Sequence, residues 1–164
     1  MAELKGQDKQ RYVSEMFARI SGRYDLMNTL MTGGLHLRWK EKTAQLTTGG
    51  LTGKALDVAT GTGDLAFSLA RCPGIDGSVG VDVLPQMVSL AQKKGRSKDL
   101  AQKVTFVLGD AHALPFPNDS FACATAGFSL RNMSNLDQAL SEMVRVVRPG
   151  GRVSTLELTP MRPG

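Results

Sequence analysis

The stretch Lys54-Ala55-Leu56-Asp57-Val58-Ala59-Thr60-Gly61-Thr62-Gly63-Asp64-Leu65-Ala66 runs from a short apolar segment, through a turn with glycines two apart, into a helix-forming segment. Lys54 to Ala59 suits a buried strand, and Leu65 to Arg71 suits the helix that follows a glycine-rich turn. Gly61 and Gly63 let the backbone turn tightly and approach a ligand that side chains would hold off, while the amides at the helix start offer donors to an anionic group. Gly61-x-Gly63-x-x-Ala66 also satisfies the dinucleotide fingerprint, so the turn alone does not separate one nucleotide cofactor from another.

Downstream, the alternation of strand and helix repeats. Ser78 to Val83 reads as a second strand, Pro85 to Lys98 as a helix with proline in its first turn, and Val104 to Leu108 as a third strand. Ser120 to Gly127 reads as a fourth strand. A helix from Leu136 to Val147, stopped by Pro149-Gly150-Gly151, leads to a fifth strand from Arg152 to Leu158. Parallel neighbours can be joined only by crossovers, so this order predicts an α/β fold built on a parallel sheet. Asp82 closes the second strand nineteen residues beyond Gly63, where a doubly wound fold presents a carboxylate to ribose hydroxyls. Gly109-Asp110-Ala111 closes the third strand with another acid, placed to accept a hydrogen bond from an adenine amino group. These features fit a nicotinamide dinucleotide and S-adenosylmethionine equally, because both carry adenosine.

Upstream, Tyr12, Met16, Phe17 and Ile20 share one helix face, and Leu26, Met27, Leu30 and Met31 repeat the pattern before Gly33-Gly34. Two short helices are therefore expected, serving as core packing or as a lid or wall over a pocket. Met27, Leu30, Met31 and Leu35 read as a core stripe that can also line a channel for an apolar tail. The chain has 164 residues, 41% of them hydrophobic and 21% charged, which suits one globular domain and lies far from the composition of chains that stay disordered. Neither a stretch long enough to span a bilayer nor the apolar region of a secretory signal is present in the sequence, so an intracellular, cytoplasmic protein is expected. Net charge is +5. Residues 1–54 hold nine Lys or Arg against five Asp or Glu, so the basic excess lies at the N-terminal side. Arg38, Lys40 and Lys42 read as a solvated helix face, with an anionic membrane surface as the functional alternative. Aromatic residues are 5% of the chain and do not interleave with basic ones, so no nucleic-acid platform is expected. Cys72 and Cys123 stand alone in apolar segments and read as buried thiols. With only His36 and His112 beside them, no metal site is expected, and neither histidine is forced into a site.

The phrases DVATGTGDLA, GDAHALPFPNDSFA, GFSLRN, ALSEMVRVVRPGGR and TLEL resemble the class I S-adenosylmethionine-dependent methyltransferases, specifically the quinone C-methyltransferases of menaquinone and ubiquinone biosynthesis. FARISGRYDLMNTLMTGGLHLRWKEKT is similar to that family's N-terminal signature, and the likeness runs from about Met16 to Pro160. The glycine turn is common to the whole class; SGRYDLMN and SLRNM are specific to the quinone branch. The resemblance favours S-adenosylmethionine over a nicotinamide dinucleotide. It implies a Rossmann-like doubly wound sheet of order 3-2-1-4-5 in a single domain, 1–164. Residues 1–46 would form a helical lid or substrate region, and 54–164 the cofactor-binding core. Relatives of this class carry seven strands, so strands six and seven are expected to be missing and the chain to be a partial sequence.

The resemblance further implies that Thr62, with Gly61 and Gly63, contacts the methionine part of the cofactor. Asp82 would hold the ribose, Asp110 and Ala111 the adenine, and Gly127 would contribute backbone only. Asp57 is expected to orient the glycine turn or to act on the cofactor ammonium through water. Ser129 stands where the family usually has glycine, which puts a side chain beside the pocket. The implied reaction is C-methylation of a demethylated prenyl-quinol, foremost demethylmenaquinol. Arg131, Asn132 and Tyr24 are the candidate catalytic residues: a fixed cation, a hydrogen-bond donor for a developing phenolate, and a substrate-orienting hydroxyl. The alternatives are another small or lipid-like substrate, such as a ubiquinone precursor, and a non-catalytic S-adenosylmethionine-binding fragment. A prenylated substrate implies peripheral contact at the inner face of the cell membrane, and a homodimer is compatible with the family.

Overall fold

The computed structural model describes residues 6–20 and 23–159. Three helices come first: α1 (Gly6–Ile20), α2 (Tyr24–Thr32) and α3 (Leu35–Thr48). Gly33 and Gly34, at φ +60° and +82°, adopt the left-handed conformation that ends α2 and starts α3 without a side-chain penalty. α3 is one helix more than the apolar spacing predicts. Its buried stripe is His36, Lys40, Ala44, Thr47 and Thr48, small or polar residues at helical spacing, whereas its leucines Leu35, Leu37 and Leu46 face out.

The core alternates as expected: β1 (Gly53–Val58), α4 (Asp64–Ala70), β2 (Ile75–Asp82), α5 (Pro85–Ser97), β3 (Val104–Leu108), β4 (Phe121–Gly127), α6 (Leu136–Val146) and β5 (Val147–Leu156). All pairings are parallel, and the strand order is β3-β2-β1-β4-β5. Both faces of β1 are buried. Leu56 and Val58 join a cluster with Ala124, Ala126, Met143 and Val146, while Ala55 meets Ala44 of α3 with Leu65 and Leu69 of α4. A parallel sheet covered on both sides accounts for the near-continuous apolar run of β1 and β4. Pro149-Gly150-Gly151 does not separate α6 from β5. Val147 already pairs with Phe121, and the register then slips so that Arg152 meets Cys123, leaving the Pro-Gly turn as an irregularity inside the strand.

After β3 the chain crosses to the far side of β1, making the β1–β4 junction a topological switch point where a cleft opens at the carboxyl ends of the strands. The connection from β3 to β4 has no regular element beyond one bridge between Asp110 and Ala113. α6 holds it in place. Glu142 Oε2 accepts the Leu114 N–H at 2.7 Å, and Arg145 donates to the carbonyls of Leu114 and Phe116 at 3.0 and 2.8 Å. No helix among the described residues is long and apolar enough to cross a membrane.

Candidate functional site

At the switch point lies a cleft of about 810 Å³, counting the part open to solvent. Its walls come from the ends of four strands and from the first helix. Ala59 and Gly61 follow β1, Asp82, Val83 and Leu84 follow β2, and Gly109 to His112 follow β3. Gly127, Phe128 and Ser129 follow β4, with Asn132, Met133 and Ser134 beyond them, and α1 contributes Gln10 and Val13. α1 thus contributes part of the cleft's lining. A smaller chamber of about 330 Å³ adjoins the cleft at Ala59, Gly127 and Phe128, and is otherwise lined by Lys40, Asp57, Thr60, Thr62 and Leu65.

Asp82 is the hinge pin of the cleft. One carboxylate oxygen accepts the Gly61 N–H and the other the Leu84 N–H, each at 2.9 Å, so a residue of β2 holds the glycine turn after β1. Each oxygen keeps lone-pair capacity for a ligand hydroxyl. Burial pushes its carboxyl above the ordinary range against the pull of these amides. The turn-holding expected of Asp57 thus belongs to Asp82. Asp57 instead accepts the Thr125 hydroxyl of β4 at 2.7 Å, and burial pushes its carboxyl up to about 6 despite that bond.

The two glycines of the turn serve different ends. Gly61, at φ +58°, lines the cleft. Gly63, at φ +92°, lines neither cavity; a Cβ there would sit 2.6 Å from the Phe106 ring, so its glycine is demanded by packing against Phe106 and Phe67. Thr62 lines the side chamber, and its hydroxyl accepts Lys94 Nζ of α5 at 2.9 Å. Asp64 is held between Lys94 at 2.9 Å and Lys40 at 3.4 Å. Burial raises its carboxyl, but the two ammonium groups outweigh that and hold it below the usual range. Lys40 is thus buried and paired, which corrects the solvated-face reading for that residue, while Arg38 and Lys42 are exposed as that reading expects.

Asp110 and Ala111 line the cleft as expected. Asp110 Oδ1 accepts both the backbone N–H and the Nδ1 of His112, at 2.9 and 2.7 Å. Burial opposes ionisation there, but these bonds and the nearby imidazole hold the carboxyl low. His112 is a wall residue that the sequence left unassigned. Its Nε2 lies 3.1 Å from the Asn135 N–H, which can only donate, so the ring proton sits on Nδ1 and faces Asp110. His36 is elsewhere, buried where α2 meets α3 with Nε2 3.3 Å from the Thr29 hydroxyl.

Of the three catalytic candidates, Asn132 lines the cleft, while Arg131, its neighbour on the 3-10 turn Leu130–Asn132, is exposed and outside the wall. The Tyr24 side chain lies outside the described residues, as does that of Met27. Leu30 and Met31 are 73% and 77% exposed, so they join neither the core nor the cleft. Ser129 has φ −128°, a conformation any residue adopts; its buried hydroxyl has no hydrogen-bond partner among the described residues. The turn is set by Glu157, whose Oε1 accepts the N–H groups of Ser129 and Leu130 at 2.9 Å each.

The model of the ubiE/COQ5 methyltransferase family matches residues 4–162. The chain belongs to that family. It is 40% identical over 152 residues to the ubiquinone/menaquinone biosynthesis C-methyltransferase UbiE of Pseudomonas paraeruginosa, covering 92% of this chain and 59% of the relative. It is 41% identical over 155 residues to UbiE of Cellvibrio japonicus, covering 93% and 62%. The chain thus spans about three-fifths of the length of these relatives. Among solved structures, the [4+2]-cyclase SpnF superposes with a TM-score of 0.68 at 34% identity, over 74% of this chain and 44% of that one. A putative S-adenosylmethionine-dependent methyltransferase from Methanococcus maripaludis superposes with a TM-score of 0.68 over 94% of this chain and 67% of that one. At 19% identity it shows the fold alone. Because one of the family's fold neighbours is named a cyclase, the fold by itself does not fix the reaction.

Proposed function

We propose that this chain binds S-adenosylmethionine in the cleft and takes part in C-methylation of a demethylated prenyl-quinol, with demethylmenaquinol as the substrate. The observation that carries the reading is the convergence of Gly61, Asp82, Asp110 and Ala111 on one cleft at the switch point, in a chain of the ubiE/COQ5 family. The residues fit the cofactor. Asp82 offers the ribose hydroxyls a carboxylate already oriented by two amides, and Gly61 leaves the turn open to close approach. Asp110 and Ala111 line the same cleft as the apolar Leu84 and Met87 and the α1 residue Val13, a mixed polar and apolar lining that suits an adenine ring. The unpartnered Ser129 hydroxyl gives the far wall a polar group for a ligand to satisfy.

When bound, S-adenosylmethionine supplies a methyl group on a sulfonium, already activated for transfer. The chain's own task is then to align a nucleophile and exclude water. A quinol ring carbon becomes nucleophilic when its hydroxyl loses a proton. Asn132, which lines the cleft, would donate a hydrogen bond to the resulting phenolate, and Arg131, exposed beside it on the 3-10 turn, is the proposed cation. Tyr24 remains a proposed substrate-orienting residue of the N-terminal helices. The prenyl tail brings the substrate from lipid, and the basic N-terminal third of the chain suits a peripheral approach to an anionic surface.

The test incubates the protein with S-adenosylmethionine and chemically reduced demethylmenaquinone and follows the product mass. A gain of one methylene unit, reduced at least tenfold by Arg131→Ala with cofactor affinity unchanged, is the expected result. Cofactor binding without any methylated product would instead support the reading of this chain as a non-catalytic binding fragment.

A further inference from the structure

α3 buries one side against the sheet and α4 and leaves the other exposed. Its inward residues are His36, Lys40, Ala44, Thr47 and Thr48. At about 100° per residue, Leu35, Arg38, Lys42 and Leu46 fall together on the opposite side, and all four are exposed, Leu35 and Leu46 by 44% and 65%. Leu30 and Met31, more exposed still, close α2 just before the Gly33-Gly34 turn that leads into this stripe. Five of the eleven large apolar side chains exposed among the described residues thus fall in the short span 30–46, which marks a contact surface more than scattered exposure does. The charges of the stripe have one sign. Glu41, the only acid of α3, is turned about 100° from the middle of the stripe, and neither Arg38 nor Lys42 is ion-paired among the described residues. Trp39 stands at the stripe's edge, half-buried, with its ring 6.5 Å from that of Phe128, which lines the cleft.

We infer that the outward face of α3, with Leu30 and Met31 at the end of α2, is a docking surface for an anionic lipid bilayer. Leucines interleaved with basic residues on one helix face have the composition of an interfacial helix. The apolar side chains enter the boundary below the head groups, while the long stems of Arg38 and Lys42 carry their charges back to the lipid phosphates. A second copy of this chain suits the same face less well, because a two-fold contact there would bring like charges together with no acid between them. The inference rests on the prenyl-quinol reading for its purpose, and it gives the peripheral approach proposed there a definite surface. Through Trp39 and Phe128 the docked face adjoins the cleft, so a quinol ring leaving the bilayer has a short apolar way in.

The test mixes the 164-residue chain, without cofactor or quinol, with vesicles of phosphatidylcholine alone or with about one-third phosphatidylglycerol. It reads co-sedimentation and the emission of Trp39, the chain's only tryptophan. The chain should partition onto the anionic vesicles roughly tenfold or more strongly than onto the neutral ones, and Trp39 emission should move to shorter wavelength as the edge of the stripe loses water. Leu35→Gln with Leu46→Gln, and separately Arg38→Gln with Lys42→Gln, should each weaken that partition roughly tenfold or more, with the helical circular dichroism signal unchanged. Absence of sedimentation, equal partition onto the two kinds of vesicle, or an unmoved Trp39 emission overturns the assignment whatever the variants do. Either double variant binding as well as the unsubstituted chain also overturns it. So does a dimer in light scattering that Leu35→Gln with Leu46→Gln dissolves, which would give the face to a second copy. A failure here leaves the methylation reading standing, because neither cofactor nor quinol enters the measurement.

Discussion

Asp57 carries its charge at a cost to folding. Its carboxyl titrates at about 6 in the folded chain, above the ordinary 3.8, because burial disfavours the charged form. A raised acid pKa means stability that is present in full below the unfolded value and lost as pH rises through about 6. Asp57→Asn keeps an acceptor for the Thr125 hydroxyl without the charge. Its stability advantage over the unsubstituted chain should therefore grow by about 2 kcal/mol between about pH 4.5 and about pH 7.5, read by urea unfolding at the two pH values. A constant difference would show that Asp57 is not buried as a charge. Gly63→Ala should act in the opposite direction. A methyl group 2.6 Å from the Phe106 ring, on backbone at φ +92°, should destabilise the fold by about 2–4 kcal/mol in the same measurement. Gly61 and Gly63 were both legible as a turn, but the reason for Gly63 was not, because Phe106 lies 43 residues away in sequence. Lys40 was misread for a related reason. On a helix, residues four apart share a face and residues two apart do not, so Arg38 and Lys42 point to solvent while Lys40 turns inward.

Among the secondary-structure elements, α6 reads most directly from the chain. Asn135 caps it, its side chain accepting the Gln138 N–H at 3.1 Å, and its apolar residues Ala139, Met143 and Val146 fall on one face. Asn135→Ala should cost about 1 kcal/mol in thermal or urea unfolding; no loss would mean that the backbone bond from Asn135 to His112 carries the end of the helix by itself. α3 is the opposite case. Its exposed leucines and its buried His36, Lys40 and Ala44 invert the amphipathic pattern, because its neighbours supply charged and hydrogen-bonding partners that sequence spacing does not display. The early start of β5 was hidden likewise: Pro149-Gly150-Gly151 has the composition of a stop, and only pairing of Val147 with Phe121 shows the strand already begun.

The sheet order was legible as a whole, since alternating strands and helices admit few right-handed parallel arrangements and the glycine turn marks the first strand. The cleft's acidic lining was legible at strand ends, where Asp82 and Asp110 stand, and the contacts between distant segments were not: the Asp82 grip on Gly61, the His112 link between Asp110 and Asn135, and the Lys40–Asp64–Lys94 cluster. Several of these contacts join elements that line the cleft, so ligand binding there should stabilise the fold. The most direct measurement is a calorimetric titration of the 164-residue chain with S-adenosylhomocysteine and, separately, with NAD. Saturable binding of S-adenosylhomocysteine, lost on Asp82→Ala, with no binding of NAD, is the predicted result; binding of NAD alone would contradict it.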